Sequence, residues 1–193
     1  MSKVVVAAGQ LGMHVAVSLI ARGNAAVLVG TPATSVDDLR RSFGLASLPW
    51  PGDDRGAWDA ALHDADAMVL GTVDVGEEGW PVMTRAAGTA ALQAAGVSGV
   101  RRAVLLSTPA SASVFADLPA DLASTLLRFG TVTDRIGSNR VAVADSLPLG
   151  EIPVPDAAAV AVAVLETEDA VGRAWDVAAG DSGPRKAIRA ALG

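Results

Sequence analysis

The stretch Val4–Val5–Val6–Ala7–Ala8–Gly9–Gln10–Leu11–Gly12–Met13–His14–Val15 decides the fold. It opens on β-branched residues, bends at two glycines, and continues with Leu11, Val15 and Leu19 at helical spacing. Gly23 then stands where a helix C-cap belongs. A buried strand, a glycine turn and a helix are the opening of a parallel α/β unit. The same residues admit a second reading, because Val4 to Ala21 carries no formal charge when His14 is neutral. Signal peptides and membrane helices use such runs. Gly9, Gln10, Gly12, His14 and Ser18 interrupt this one, so the strand–turn–helix reading is preferred and a cytoplasmic location is expected.

Outward from that unit, short β-branched runs alternate with helical patterns. Lys3 to Ala8 reads as the first strand and Ala25 to Val29 as the second. Ser35 and Asp38 suggest a capping box for a short helix ending at Gly44. Leu45 to Trp50 is the expected third strand. Pro49 and Pro51 confine it to a sheet edge, where the strand order 3-2-1-4-5 would put it. Helix at Trp58 to His63, strand at Met68 to Gly71, a long helix from Pro81 to Gly96 and strand at Arg102 to Ser107 follow. Beyond these, Leu126 to Phe129 and Trp175 to Ala178 read as strands, and Pro155 to Leu165 and Pro184 to Leu192 as helices. The expectation is one doubly wound α/β domain over residues 1–193, with a mostly parallel sheet of about six or seven strands and helices on both faces. Residues 109–125 form a shortened region and 126–193 a small C-terminal part.

Composition narrows the chemistry. Of 193 residues, 51% are hydrophobic and 19% charged, which argues against disorder. There is no cysteine and there are only two histidines, His14 and His63, so thiolate and multi-histidine metal sites are excluded and no metal is expected. A net charge of −6 with no basic cluster disfavours nucleic acid and anionic membrane as partners. A small molecule is the expected ligand, and a homodimer would cover apolar surface left by the short 109–125 region.

The opening stretch resembles that of the NmrA-like proteins, a branch of the atypical short-chain dehydrogenase/reductases. That family carries Gly-x-x-Gly-x-x-Gly between its first strand and helix. Gly9 and Gly12 match the last two glycines, and the first falls on Val6 or is lost to a deletion. Gly52–Asp53–Asp54 looks like the family's Gly-Asp-Leu/Val after strand three, Asp66 to Gly71 like its strand four, and Gly96–Val97 through Ser107–Thr108 like its strand five. Leu126–Leu127–Arg128–Phe129–Gly130 is similar to its Ile-Leu-Arg-Pro-Gly. The resemblance implies a Rossmann fold and a dinucleotide, NADP or NAD. Gly9, Gln10, Leu11 and Gly12 would hold it through backbone N–H groups and the helix N-terminus, with Asp53 on the adenine side.

Departures from the pattern fall on the redox machinery. The chain has no tyrosine, so no Tyr-x-x-x-Lys relay exists, and its lysines, Lys3 and Lys186, lie elsewhere. A side chain at Val6 would crowd the phosphate path. Gly30 stands where the family often has arginine for a 2′-phosphate, so NAD and NADP are not distinguished and dinucleotide binding itself is in question.

Ligands of open α/β sheets bind beyond the carboxyl ends of the strands. That rule selects Gly9, Thr72, Asp74, Ser107, Thr108 and the segment after Phe129, with Asp74, Ser107, Thr108 and Asp134 as the catalytic candidates. Asp74, with Glu77 and Glu78 beside Trp80, would be an acid or base, or else part of a solvated loop favouring the positive start of the next helix. Ser107 and Thr108 would donate to a substrate carbonyl, or cap the strand end. Asp134 and Arg135 would touch a ligand, or form a surface turn. His14 and His63 read as helix-surface residues, and Asp53 alternatively as a helix N-cap. Three functions remain open: a repurposed fold performing cyclisation, isomerisation or dehydration; an NAD(P)H-dependent reductase without the Tyr-Lys relay; and a non-enzymatic nucleotide sensor or partner-binding protein.

Overall fold

The computed structural model describes residues 2–30, 41–73 and 80–193. Strand β1 (Lys3–Ala7) leads through Ala8 directly into helix α1 (Gly9–Ile20). Then come β2 (Ala25–Val29), β3 (Ala46–Leu48), α2 (Arg55–Ala61), β4 (Ala67–Gly71), α3 (Arg85–Val97) and β5 (Arg102–Ser107). The C-terminal part adds β6 (Ser124–Phe129), β7 (Thr131–Thr133), β8 (Val141–Ala144), β9 (Glu151–Pro153), α4 (Val154–Leu165), β10 (Ala174–Ala179) and α5 (Pro184–Leu192).

Among the described residues the main sheet has eight strands in the order β3-β2-β1-β4-β5-β6-β10-β8. All neighbours run parallel except β8, which is antiparallel to β10. β7 and β9 pair separately in a parallel ribbon. This is a Rossmann-like α/β fold. The sheet is one strand wider than expected because β8, four residues long, is too short for alternation to register, as are β7 and β9 of the separate ribbon.

Both faces of the sheet are buried, which is why its strands read as continuous apolar runs. Val4, Val6, Val69, Val104 and Leu106 face one core, shared with α1, α4 and α5. Val5, Ala7, Met68, Leu70 and Leu105 face the other, shared with α2 and α3. Small residues set the spacing. A Cβ on Gly12 would lie 3.1 Å from Val6 Cγ1, and one on Gly88 would lie 3.1 Å from Val114 Cγ1, so glycine lets α1 close on β1 and α3 on the segment after β5.

Three expected boundaries are corrected. The long helix starts at Arg85, not Pro81: the Thr84 hydroxyl caps it by accepting from the Ala87 N–H at 3.2 Å. The third strand contracts to Ala46–Leu48, ending before Pro49. Asp54, not Asp53, caps α2 by accepting from the Ala57 N–H at 3.1 Å. The helix expected from Ser35 lies mostly outside the described residues, but its stop is seen, with helical residues 41–43 followed by Gly44 at φ +65°.

Polar groups inside the C-terminal part serve architecture. Arg128 Nε donates to Asp176 Oδ1 at 2.7 Å, joining β6 to β10, and Asp176 Oδ2 accepts from the Leu147 N–H. Asp156, 2% exposed, accepts from the Ser138 N–H and hydroxyl and the Asn139 N–H at 2.7 to 3.0 Å. That carboxylate pins the loop after β7 to the start of α4, the kind of fully satisfied buried group that costs little to hold.

Candidate functional site at the carboxyl edge of the sheet

The carboxyl ends of β1 and β4 meet almost without a gap. A Cβ on Gly71 would lie 2.6 Å from Ala8 Cβ and 3.0 Å from Ala8 Cα. This close approach sets Thr72 beside the start of α1. Gly9 takes φ +57°, which lets the chain turn from strand to helix across the single residue Ala8. The N-cap residue Ala8 has no side chain able to cap α1, and no cap bond to the first N–H groups is seen among the described residues. Gln10 is 7% exposed with Oε1 unpartnered, Leu11 is wholly buried in the core, and Gly12 packs on β1. Of the four glycine-turn residues, Leu11 and Gly12 thus have only backbone to offer a ligand.

A cluster of hydroxyls stands at the ends of β4 and β5. Thr72 Oγ1 and Ser111 Oγ lie 2.6 Å apart, and Thr108 Oγ1 and Ser111 Oγ 2.9 Å apart. The Thr108 N–H donates to Ser111 Oγ at 3.0 Å, and the Ser111 N–H donates to the Thr108 carbonyl at 3.1 Å. The Thr72 N–H donates to the Leu106 carbonyl at 2.8 Å, which fixes the β4 side of the cluster to β5. Two threonines and one serine are therefore held by backbone bonds in one half-buried group. Donors fixed before a ligand arrives need little reorganisation to polarise a carbonyl.

Of the two candidates at the end of β5, Thr108 lies in this cluster and Ser107 does not: the Ser107 hydroxyl is wholly buried and unpartnered at the last residue of the strand. Asp134 is exposed just past β7, and no described bond links it to the hydroxyls; its neighbour Arg135 pairs with Glu151 at 2.8 Å. Asp53 is exposed on the turn before α2. Asp74 lies outside the described residues. Ser111 was not among the sequence candidates. The signal for it is a hydroxyl three residues after a strand-end threonine, Thr108-x-x-Ser111, a spacing that closes a turn.

The end of β2 is different. Gly30, at φ +79°, is buried beneath two rings: a Cβ there would lie 2.5 Å from Pro81 Cγ and 2.9 Å from Trp50 Cε3. Trp50 packs edge-on against Trp58, with ring centres 5.6 Å apart and planes at 83°. Trp58 is fully buried and its Nε1–H donates to the Gly52 carbonyl at 3.0 Å. Trp80 reaches towards the glycine turn, its Cβ 4.0 Å from where a Gly9 Cβ would stand.

A cleft of about 480 Å³ lies at the opposite, amino edge of the strands, lined in part by Asp66, Arg101, Arg102, Glu166 and Glu168. Its charges are largely paired. Arg101 donates to Asp66 at 2.6 Å, Arg22 and Arg185 hold Glu166, and Arg102 donates to the Thr167 carbonyl. The Lys3 N–H and then the Arg101 guanidinium hold the Asp66 carboxyl below its ordinary value. Edge position and charge pairing make this a structural seam, whereas the hydroxyl cluster sits where α/β sheets bind ligands.

No family model matches the chain, and no curated protein matches it in sequence. Solved structures do match it in shape. The oxidoreductase ylbE from Lactococcus lactis superposes with a TM-score of 0.80 at 19% identity, over 98% of this chain and 96% of that one. The anaerobillin reductase ChuY from Escherichia coli O157:H7 gives 0.75 at 14%, over 95% and 100%. A wide-type short-chain dehydrogenase/reductase from Veillonella parvula, in complex with NADP, gives 0.71 at 12%, over 92% and 94%. At these identities the likeness establishes the fold.

One of these structures holds NADP, and the residues of this chain would suit such a dinucleotide on one side only. The uncapped start of α1 after Gly9 suits a phosphate. The adenosine side does not fit, because the end of β2 is covered by Trp50 and Pro81. Among the described residues no cluster of histidine and carboxylates suits a metal, and no helix is long and apolar enough to cross a membrane.

Proposed function

We propose that this chain is a small-molecule enzyme that works at the carboxyl ends of β4 and β5 and performs non-redox chemistry on a carbonyl compound. The hydroxyl cluster of Thr72, Thr108 and Ser111 carries the reading. Its hydroxyls would donate to the substrate carbonyl and make the adjacent C–H more acidic. Asp74, two residues beyond Thr72 in the chain, is the candidate base for that proton. With an α-hydroxy carbonyl the enediolate would take that proton back at the former carbonyl carbon while the α-hydroxyl proton passes to the original carbonyl oxygen, an isomerisation; with a β-hydroxy carbonyl the enolate would expel hydroxide, which takes the proton from Asp74 and leaves as water, a dehydration. Neither path changes the electron count, so neither needs an external oxidant or reductant.

Incubation with a panel of hydroxy-carbonyl compounds in the absence of any cofactor, read by mass spectrometry, tests this. Products of unchanged mass or lacking one water, formed by the wild type and reduced at least ~10-fold in Thr108→Ala and Asp74→Ala, are expected. Wild-type rates in both variants would remove these residues from the site.

A second reading is a reductase that takes its hydride from NADH or NADPH and its proton from water. The uncapped α1 start after Gly9 favours it, as does the likeness to reductases, one of them in complex with NADP. It also needs no titratable side chain at the hydroxyl cluster. Turnover that strictly requires a reduced nicotinamide would select this reading over the first.

A further inference from the structure

The geometry points to a groove closed to adenine dinucleotides by the protein's own Trp50 and Pro81. In dinucleotide folds the ribose next to adenine is read at the end of the second strand, about 20 residues beyond the glycine turn. Gly30 is that position here, 21 residues after Gly9. Pro81 Cγ and the Trp50 ring touch it so closely that not even a methyl group fits, with 2.5 and 2.9 Å to a Cβ. A sugar seated at that point would have to displace both rings.

The closure is anchored at each end. Trp50 is held against the buried Trp58, and the Gly30 N–H donates to the Leu48 carbonyl at 3.0 Å, keeping the β2 end and the β3 end together beneath the rings. On the other side, Trp80 packs on one core and Met83, 4% exposed, is buried in the other, so Pro81 is fixed between two apolar anchors. Glycine at position 30 is what this packing demands, both for its φ of +79° and for contact with the proline ring. The residue that a relative would use to grip the cofactor has become the floor of a packed apolar corner.

This inference concerns the same groove as the proposed function but fails separately from it. A lack of cofactor-free turnover would leave the closure standing. Calorimetric titration of NAD⁺, NADH, NADP⁺ and NADPH into three proteins decides the matter: the wild type, Trp50→Ala/Pro81→Gly, and Val6→Gly, each checked for a cooperative melt. The expected result is no binding by the wild type at submillimolar concentration, at least ~10-fold tighter binding by the double variant, and no rescue by Val6→Gly. If the double variant fails to fold, Pro81→Ala, which removes Cγ from Gly30, carries the same expectation. Micromolar binding by the wild type overturns the closure. So does rescue by Val6→Gly alone, which would place the block at the phosphate turn, and so does the absence of any gain on opening.

Discussion

The two ends of one sheet edge have been put to opposite uses. At the ends of β4 and β5 the chain leaves three hydroxyls half-buried and tied to backbone. At the end of β2 it brings in two tryptophans and a proline and excludes even a Cβ. Both sit on equally apolar strands of the same sheet, so the scaffold does not dictate the difference. It comes from the loops: the residues around Trp50 and Trp80–Pro81 fill space, and the turn Thr108 to Ser111 keeps polar atoms available. Loop variation on a rigid sheet is the usual way such folds change their ligands.

The contrast can be broken first at Gly30. Gly30→Val adds a β-branched side chain at φ +79° against Pro81 and Trp50. It should cost about 3 kcal/mol or more, lowering the melting temperature by roughly 10 °C for a chain of this size. Gly44→Ala is the matched control, since Gly44 also has positive φ, at +65°, but nothing within 4 Å of its Cβ position. It should cost only about 1 kcal/mol, the left-handed penalty alone. Equal melting shifts for the two variants would show that the end of β2 is not tightly filled.

At the polar end, Ser111→Ala removes the hydroxyl shared by Thr72 and Thr108. It should reduce turnover ~10- to 100-fold while lowering stability by only about 1 kcal/mol. A stability loss as large as that of Gly30→Val, with turnover intact, would make the cluster a structural cap. Trp58→Phe deletes the bond to the Gly52 carbonyl and part of a wholly buried ring; about 2 kcal/mol is expected by denaturant melts, together with a shift in the fluorescence of Trp50.

The smallest effect concerns the amino edge. Asp66 is held below its ordinary value of 3.8 by the Lys3 N–H and Arg101. A lowered carboxyl contributes stability above its unfolded value, and that contribution is lost as pH falls through the folded value. Asp66→Asn should therefore melt lower than wild type at pH 7, and the gap should narrow as pH falls below 3.8. A gap that does not change with pH would assign the loss to something other than charge.

The fold was legible because its signal is carried by long apolar runs and one glycine turn. Val4 to Val6, Met68 to Leu70 and Ala103 to Leu106 could be buried only between two helical layers. The short strands β7, β8 and β9 were not visible, since three or four residues cannot display a period. Part of the hydroxyl cluster was legible too. Thr108 follows from the rule that strand ends hold ligands, but Ser111 acts through a turn whose closure depends on backbone bonds. Pro81 was read as a helix start because proline favours that position. Its role is instead tertiary, contact with a glycine 51 residues earlier in the chain, and no local pattern encodes that.

The central claim, one working end and one filled end, is tested most directly by the four tryptophan indole N–H signals in a nitrogen-15 spectrum of the wild type. With NADH or NADPH in large excess, the signals of Trp50 and Trp80 and the amide of Gly30 should stay in place, while a hydroxy-carbonyl ligand should shift the amides of Thr72, Thr108 and Ser111. Displacement of the Trp50, Trp80 and Gly30 signals by either dinucleotide would show that the rings yield to a cofactor, and would contradict the account.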